Sequence, residues 1–378
     1  MSDPIPSVIL AKSRLENLTI LRLVAALWVI SMHLQGSIPL SLNMWWHRLF
    51  NNGAYAMTVF FVLSGTVMAY GYHALRPKTE DVIAFYQARF SRIYGPYIFL
   101  HFVALIWVSP ANAKEMSAAI YSTVLSALCI QAWFPQSLLS GANTGTWSIS
   151  VEIFFYALFP ALLPVVVFLR KRWGALRVCA YLSALTGFIG FADYVYSNSS
   201  LYYWMPATRL PEFMLGLVIG LELITPSRTS RGNNLLLALA IACAAAAAIN
   251  PVLEYGLWIR ANLFVVPAFA WLIFELARTE QRRFRSGSRI RRVLVYLGET
   301  SYCLFLTHMI PLMYLHSASG IAWTQLHWQR AHAELWLVVL VAALLGAILL
   351  HEAVEKPLRR FLLRHWQSPR QNTGTLSM

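Results

Sequence analysis

LRLVAALWVISMHLQG, residues 21–36, decides the fold class. Its leucines, valines and alanines suit a helix in hydrocarbon, yet Arg22 stands near one end and His33 stands eleven positions later. At about 100° per residue, that interval makes three turns plus roughly 20°, so both side chains leave one face, about 16 Å apart along the axis. Ionisable side chains within a span are costly and generally face a cavity, a partner or a pathway. A plainer account also fits the pair, with Arg22 reaching the headgroups along its aliphatic stem and His33 hydrogen-bonded inside a bundle.

The rest of the 378-residue chain has the same character: 58% of it is hydrophobic and 12% charged, with mean hydropathy +0.55. Soluble domains are far more polar. A span needs about 20 mostly apolar residues, and such runs recur from end to end. The sequence therefore predicts an all-α, polytopic transmembrane bundle. Residues 1–378 read as one membrane-embedded domain, with a core at about 15–362 and a short basic tail at 363–378. The first apolar run has no small-residue cleavage site after it, so it is expected to be a retained span. Cys129, Cys179, Cys243 and Cys303 lie apart in apolar runs, without disulfide or metal spacing.

The net charge of +14 could point to nucleic acid or to the cytoplasmic loops of a membrane protein. Its distribution favours the second. Apolar segments fall near 18–36, 54–72, 94–109, 117–134, 149–169, 177–196, 210–224, 235–250, 257–277, 293–314 and 333–354. Between them lie Lys12 and Arg14; Arg76, Lys78, Arg89 and Arg92; Arg170, Lys171, Arg172 and Arg177; Arg228 and Arg231; the arginines from Arg278 to Arg292; and Lys356, Arg359, Arg360, Arg364 and Arg370. If every segment crossed, the last four clusters would face outward, against the positive-inside rule. One segment must fail to cross. Segment 117–134, interrupted by Ser117, Ser122, Thr123, Ser126 and Gln131, is the candidate for an interfacial or re-entrant piece. About ten spans remain, with both termini cytoplasmic. No nucleic-acid partner is needed to explain the charge.

That topology brings other polar residues to related depths. Glu152 lies a turn into the span starting at TGTWSIS, Arg209 and Glu212 lie in the first turn of another, and His308 lies in the outer half of a third. With His33 they form one layer. Arg22, Arg89, Arg92 and Lys356 come to the opposite boundary. One end suits an anionic ligand and the other suits proton transfer.

At these residues the chain resembles the acyltransferase-3 family of membrane-bound O-acyltransferases, which act on O-antigens, exopolysaccharides and nodulation factors. The resemblance rests on Arg22 and His33 at the family spacing, FFVLSGTVMAY at 60–70, FYQARFSRIYGPY at 85–97, WSISVEIFFYALFP at 147–160, RLPEFMLG at 209–216, SYCLFLTH at 301–308 and VEKPLRRF at 354–361. It implies transfer of an acyl group, commonly acetyl, from cytoplasmic acyl-CoA to a hydroxyl of a lipid-linked or exported carbohydrate. It also implies a multi-pass protein of the bacterial inner membrane. Arg22 matches the arginine associated with CoA, and His33 the histidine associated with transfer. Many members carry a second acidic residue after the position of Glu152; Ile153 stands there in this chain.

O-acyl transfer needs a base for the acceptor hydroxyl and donors for the developing oxyanion. His33 suits the first role, with Glu152 as a partner that orients its other ring nitrogen. A covalent acyl-histidine is a second route. Arginine forks match the phosphates of CoA, which selects Arg22, Arg89 and Arg92, although the last two also suit ordinary membrane anchoring. Ser64 could face the path as a nucleophile or an oxyanion donor, but small residues in a span, here Ser64 and Gly65, more often permit close helix packing. Trp147 and Tyr302 could line the path or belong to an interfacial belt, and Arg209, Glu212 and His308 are further path-lining candidates. His101 reads as an internally bonded side chain. HEAVE at 351–355 echoes a zinc-binding helix motif but has Glu355 where the second histidine belongs, so no metal is expected. A proton-coupled transporter of polysaccharide export is the alternative; the halves show no repeat of the kind transporters often have.

Overall fold

The computed structural model describes residues 15–107, 112–134, 144–196, 201–225, 234–249, 262–280, 288–317 and 332–367. Lys12, Arg14, Arg228, Arg231, the arginines at 282–285, Arg370 and most of the proposed tail lie outside the described residues. Among the described residues the regular structure is helical, without strands. The α-helices of seven or more residues are α1 (Glu16–Ser37), α2 (Met44–Asn51), α3 (Ala56–Tyr72), α4 (Thr79–Ala104), α5 (Ala113–Ala127), α6 (Trp147–Trp173), α7 (Ala175–Tyr196), α8 (Pro206–Ile224), α9 (Asn234–Ala248), α10 (Asn262–Glu280), α11 (Arg289–Glu299), α12 (Ser301–Thr307), α13 (Met309–His316), α14 (His332–Leu350) and α15 (Lys356–Gln367).

Six described helical stretches are long and apolar enough to cross a membrane, and a seventh exists if α11 to α13 count as one span bent by 53°. This is a multi-pass membrane bundle. Its outer surface is greasy, as lipid contact requires: Phe188, Phe191, Leu345 and Leu349 are all exposed. Segment 117–134 forms the short α5 and a following 3-10 turn at Gln131–Trp133. Segment 94–109 belongs to a helix that starts much earlier, at Thr79, and carries Arg89 and Arg92 into the bundle.

At the centre α3 is buried along most of its length and crosses α8 at very short range. A β-carbon on Gly65 would strike the carbonyl of Phe213, and one on Gly216 would strike the carbonyl of Val62. Glycines on both helices therefore set the separation, as small residues do where membrane helices pack. The crossing leaves the neighbouring Ser64 facing inward on one side of α3. On the other flank of the bundle, α14 passes through a π-helical turn, His351–Glu355, before α15 begins. Pro357 follows immediately and has no N–H to donate to the preceding turn. The Lys356 N–H instead reaches His351 O.

Candidate active site

A chamber opens between α1, α3, α4, α6 and α12. Arg22 from α1, Arg89 and Arg92 from α4, and Glu152 and Tyr156 from α6 line one part of it. Ser64, Ser148, Ser301 and Tyr302 line another. Arg89 and Arg92 project into the same space because they lie three residues apart on one helix face. Aromatic faces hold the first of them: its guanidinium sits 4.7 Å from the Tyr72 ring centroid and 5.6 Å from that of Tyr156. Three guanidinium groups and one carboxylate make this wall cationic. Tyr156 donates its hydroxyl hydrogen to Glu152 Oε1, one turn earlier on the same helix. Tyr302 donates to Ile93 O at 2.8 Å, which fixes its ring against α4.

A second chamber is lined by His33, Val29, Met32, Ala54, Gly145, Trp147, Tyr203 and Trp204. Aromatic and aliphatic surface dominates it, and the indole of Trp147 lies 5.1 Å from the Tyr203 ring. Met57 and Phe305 line both chambers. They form the partition.

His33 is held by His308. Their rings are parallel within 1° and joined by a 2.8 Å contact between His33 Nδ1 and His308 Nε2. The other nitrogen of His308, Nδ1, lies 2.7 Å from Phe305 O. A carbonyl oxygen can only accept, so the neutral His308 ring carries its hydrogen on Nδ1 and offers a lone pair at Nε2. His33 must then donate from Nδ1. Its remaining nitrogen, Nε2, keeps a lone pair on the residue that faces the aromatic chamber. These two hydrogen bonds thus select one tautomer at each ring.

The candidate residues therefore divide into groups. Arg22, Arg89, Arg92, Glu152, Ser64 and Tyr302 share the first chamber; His33 and Trp147 share the second; and His308, fully buried, backs His33. Glu152 and His33 line different chambers, and the orienting contact expected from Glu152 is made by His308. Arg209 and Glu212 line neither. They form a buried brace, with Nη1 to Oε1 at 2.7 Å, Arg209 Nε donating to Tyr203 O at 2.8 Å, and Asn262 donating to Glu212 Oε1 at 3.0 Å. Through Tyr203 that brace shapes the wall of the second chamber. His101 is buried beside Tyr97, and its ring nitrogens lack the internal hydrogen bonds expected for it. Sequence reasoning passed over Tyr156, although its position four residues after Glu152 on a helix was a sufficient signal. Met57 and Phe305, as ordinary apolar residues, gave none.

The acyltransferase domain family matches residues 15–352, nearly all of the described bundle. The chain belongs to the acyltransferase-3 family. A curated relative, acyltransferase MdmB of Streptomyces mycarofaciens, is 31% identical and is aligned over 93% of each chain. No solved structure matches. This member of the family is a membrane enzyme that transfers acyl groups, and its chambers are where that chemistry has to be placed.

Proposed function

We propose that the enzyme moves an acyl group, acetyl in the first instance, from cytoplasmic acyl-CoA to a hydroxyl of a carbohydrate bound from the opposite side of a bacterial inner membrane. The observation that carries this reading is the division of labour across Met57 and Phe305: clustered arginines on one side, and a histidine with an open Nε2 on the other. Arg22, Arg89 and Arg92 suit the phosphates of CoA, because planar guanidinium groups hold phosphate oxygens in pairs. The aromatic chamber suits a sugar, whose C–H faces pack on indole and phenol rings while its hydroxyls remain free for the base.

In this mechanism the acceptor hydroxyl donates its proton to His33 Nε2 as its oxygen bonds to the thioester carbonyl carbon. The Nδ1–H to His308 bond keeps Nε2 aimed and spreads the positive charge of the imidazolium that forms. The tetrahedral intermediate then collapses, its carbon–sulfur bond breaks, and the CoA thiolate takes the proton back. The products are an O-acyl ester and CoA thiol. Met57 and Phe305 must part, or be passed by the thioester arm, for the two substrates to meet. No step requires a metal.

The same reading carries a proposed placement in the membrane. Six spans, the bent α11–α13 segment, and α4, α8 and α9 together make ten, with α5 lying outside the count. Helices α4 and α8 are long enough, and they carry the charged side chains described above. With α1 entering from the cytoplasm, the arginine chamber faces the CoA pool.

The deciding experiment incubates detergent-purified enzyme with radiolabelled acetyl-CoA and a surface-polysaccharide preparation. Label is expected in the glycan, falling by roughly 10²- to 10⁴-fold in His33→Ala, the range for loss of a general base. Movement of glycan across proteoliposomes without any acyl transfer would replace this reading with the transporter.

A further inference from the structure

The π-helical turn at His351–Glu355 gathers side chains that the acyl-transfer reading does not use. Such turns are uncommon and concentrate at functional sites, because one extra residue per turn re-aims its side chains. Here His351 Nδ1 comes to 2.7 Å from Glu355 Oε2, and Cys303 Sγ, from α12, comes to 3.1 Å from the same oxygen. The three ligand-type atoms lie within 4.8 Å of one another. All three residues are buried, at 0% exposure for Cys303 and 5% for His351 and Glu355. The second ring nitrogen, His351 Nε2, is buried without a hydrogen-bond partner.

We propose that Cys303, His351 and Glu355 form a binding site for one borderline-soft divalent cation of the zinc class. The donor set is the argument. A thiolate selects against magnesium and calcium, and sulfur, imidazole nitrogen and carboxylate together fill three positions of a tetrahedral zinc site. Metal–ligand bonds of about 2.0–2.3 Å place tetrahedral ligands roughly 3.5 Å apart. The observed separations need to open by only about half an ångström to reach that spacing, which a turn of the Glu355 carboxylate provides. The proton count closes as well. The Cys303 thiol loses its proton to solvent, Glu355 binds as the carboxylate, and the His351 proton moves from Nδ1 to the unpartnered Nε2 as Nδ1 takes the metal. The dication then meets two negative ligands, so the complex is neutral.

The fourth position is left to water or an exogenous ligand. The site lies behind the arginine chamber, where the π turn leads into α15 and α15 packs on the helix that bears Arg89 and Arg92. A metal there clips α12 to the end of α14. The sequence shows His351 and Glu355 together in HEAVE but conceals the third ligand, Cys303, which lies 48 positions before His351 on a different helix.

The test uses the full-length enzyme in detergent, reduced and stripped with chelator, then titrated with Co²⁺ alone. The expected result is one Co²⁺ per chain with a sulfur-to-cobalt charge-transfer band, displaced by Zn²⁺. That band is expected to vanish in Cys303→Ala and persist in Cys243→Ala, which removes an exposed cysteine. Glu355→Gln is expected to weaken binding by tenfold or more. Wild-type enzyme showing no stoichiometric band overturns the proposal, whatever the variants do. A band that survives Cys303→Ala, in protein that still elutes as a single species, overturns it equally. Acyl transfer is not part of the readout, so failure here leaves the catalytic reading intact.

Discussion

At the scale of single residues, the arrangement turns on which ring nitrogen carries hydrogen. His308 cannot share a proton freely, since Phe305 O holds its Nδ1–H at 2.7 Å. In the proposed mechanism it acts on catalysis through His33, as a positioning residue. Replacing it with leucine removes the acceptor for His33 Nδ1–H and allows the ring to rotate or change tautomer. We expect kcat in His308→Leu to fall by roughly 10²-fold, the low end of a general base's contribution, with KM for acetyl-CoA unchanged because the arginines are untouched. His308→Gln offers an amide oxygen in place of Nε2 and is expected to recover part of the loss. Steady-state kinetics on the three enzymes decides it. If the leucine variant changes KM and leaves kcat alone, His308 has no positioning role. The residue scale also shows where sequence reasoning ran out. The spacing of Arg22 and His33 placed both on one face of α1, yet spacing within a helix cannot say which partner stands opposite. Glu152 and His308 were both candidates by depth. Only the packing of α12 against α1 chose His308.

At the scale of elements, the separation of α3 and α8 governs the site, because α3 contributes Ser64 and Met57 and α8 carries the Arg209–Glu212 brace. Gly65 touches backbone on α8, so a methyl group there has no flexible neighbour to push aside. Gly71, on the same helix, has open space at the equivalent point. Gly65→Ala is expected to cost about 1–3 kcal/mol, as overpacking does, and to lower both the melting temperature and the activity. Gly71→Ala should be neutral or slightly stabilising, since alanine favours a helix by up to about 1 kcal/mol over glycine. Thermal unfolding in detergent compares them directly; equal melting temperatures would show that the crossing has room to relax. The FFVLSG stretch announced this element in the sequence, and its adjacent small residues divide, with Ser64 lining the chamber and Gly65 in the crossing. The break at Thr300 was not legible. SYCLFLTH reads as part of one continuous span, and the 53° bend depends on how α11 lies against α1, where Gly298 meets the carbonyl of Thr19.

At the scale of the whole molecule, charge placement and helix length bear on the same question from independent directions. The proposed topology has an even number of crossings between the N-terminus and the tail, as the positive clusters favour, and α5 is the apolar segment that it leaves out of the membrane. Its helix has 15 residues, it is capped at its start by the Asn112 side chain, and it carries Lys114 and Glu115 in its first turn. A helix of that length rises about 22 Å, short of the roughly 30 Å of hydrocarbon. Helix α9 also has 15 residues, but it carries no charge, is mostly alanine and leucine, and can be accommodated by local thinning of the bilayer at modest cost. If α5 lies in the interface, every later helix keeps the orientation that places Arg177 and Arg292 in the cytoplasm. Reporter fusions truncated after each of these residues are expected to be active only with a cytoplasmic reporter. Fusions at Lys114 and at Phe134, on either side of α5, are expected to report the same, external side. Opposite sides at 114 and 134 would make α5 a span, reverse every helix after it, and turn His308 toward the cytoplasm, away from the layer it must share with His33.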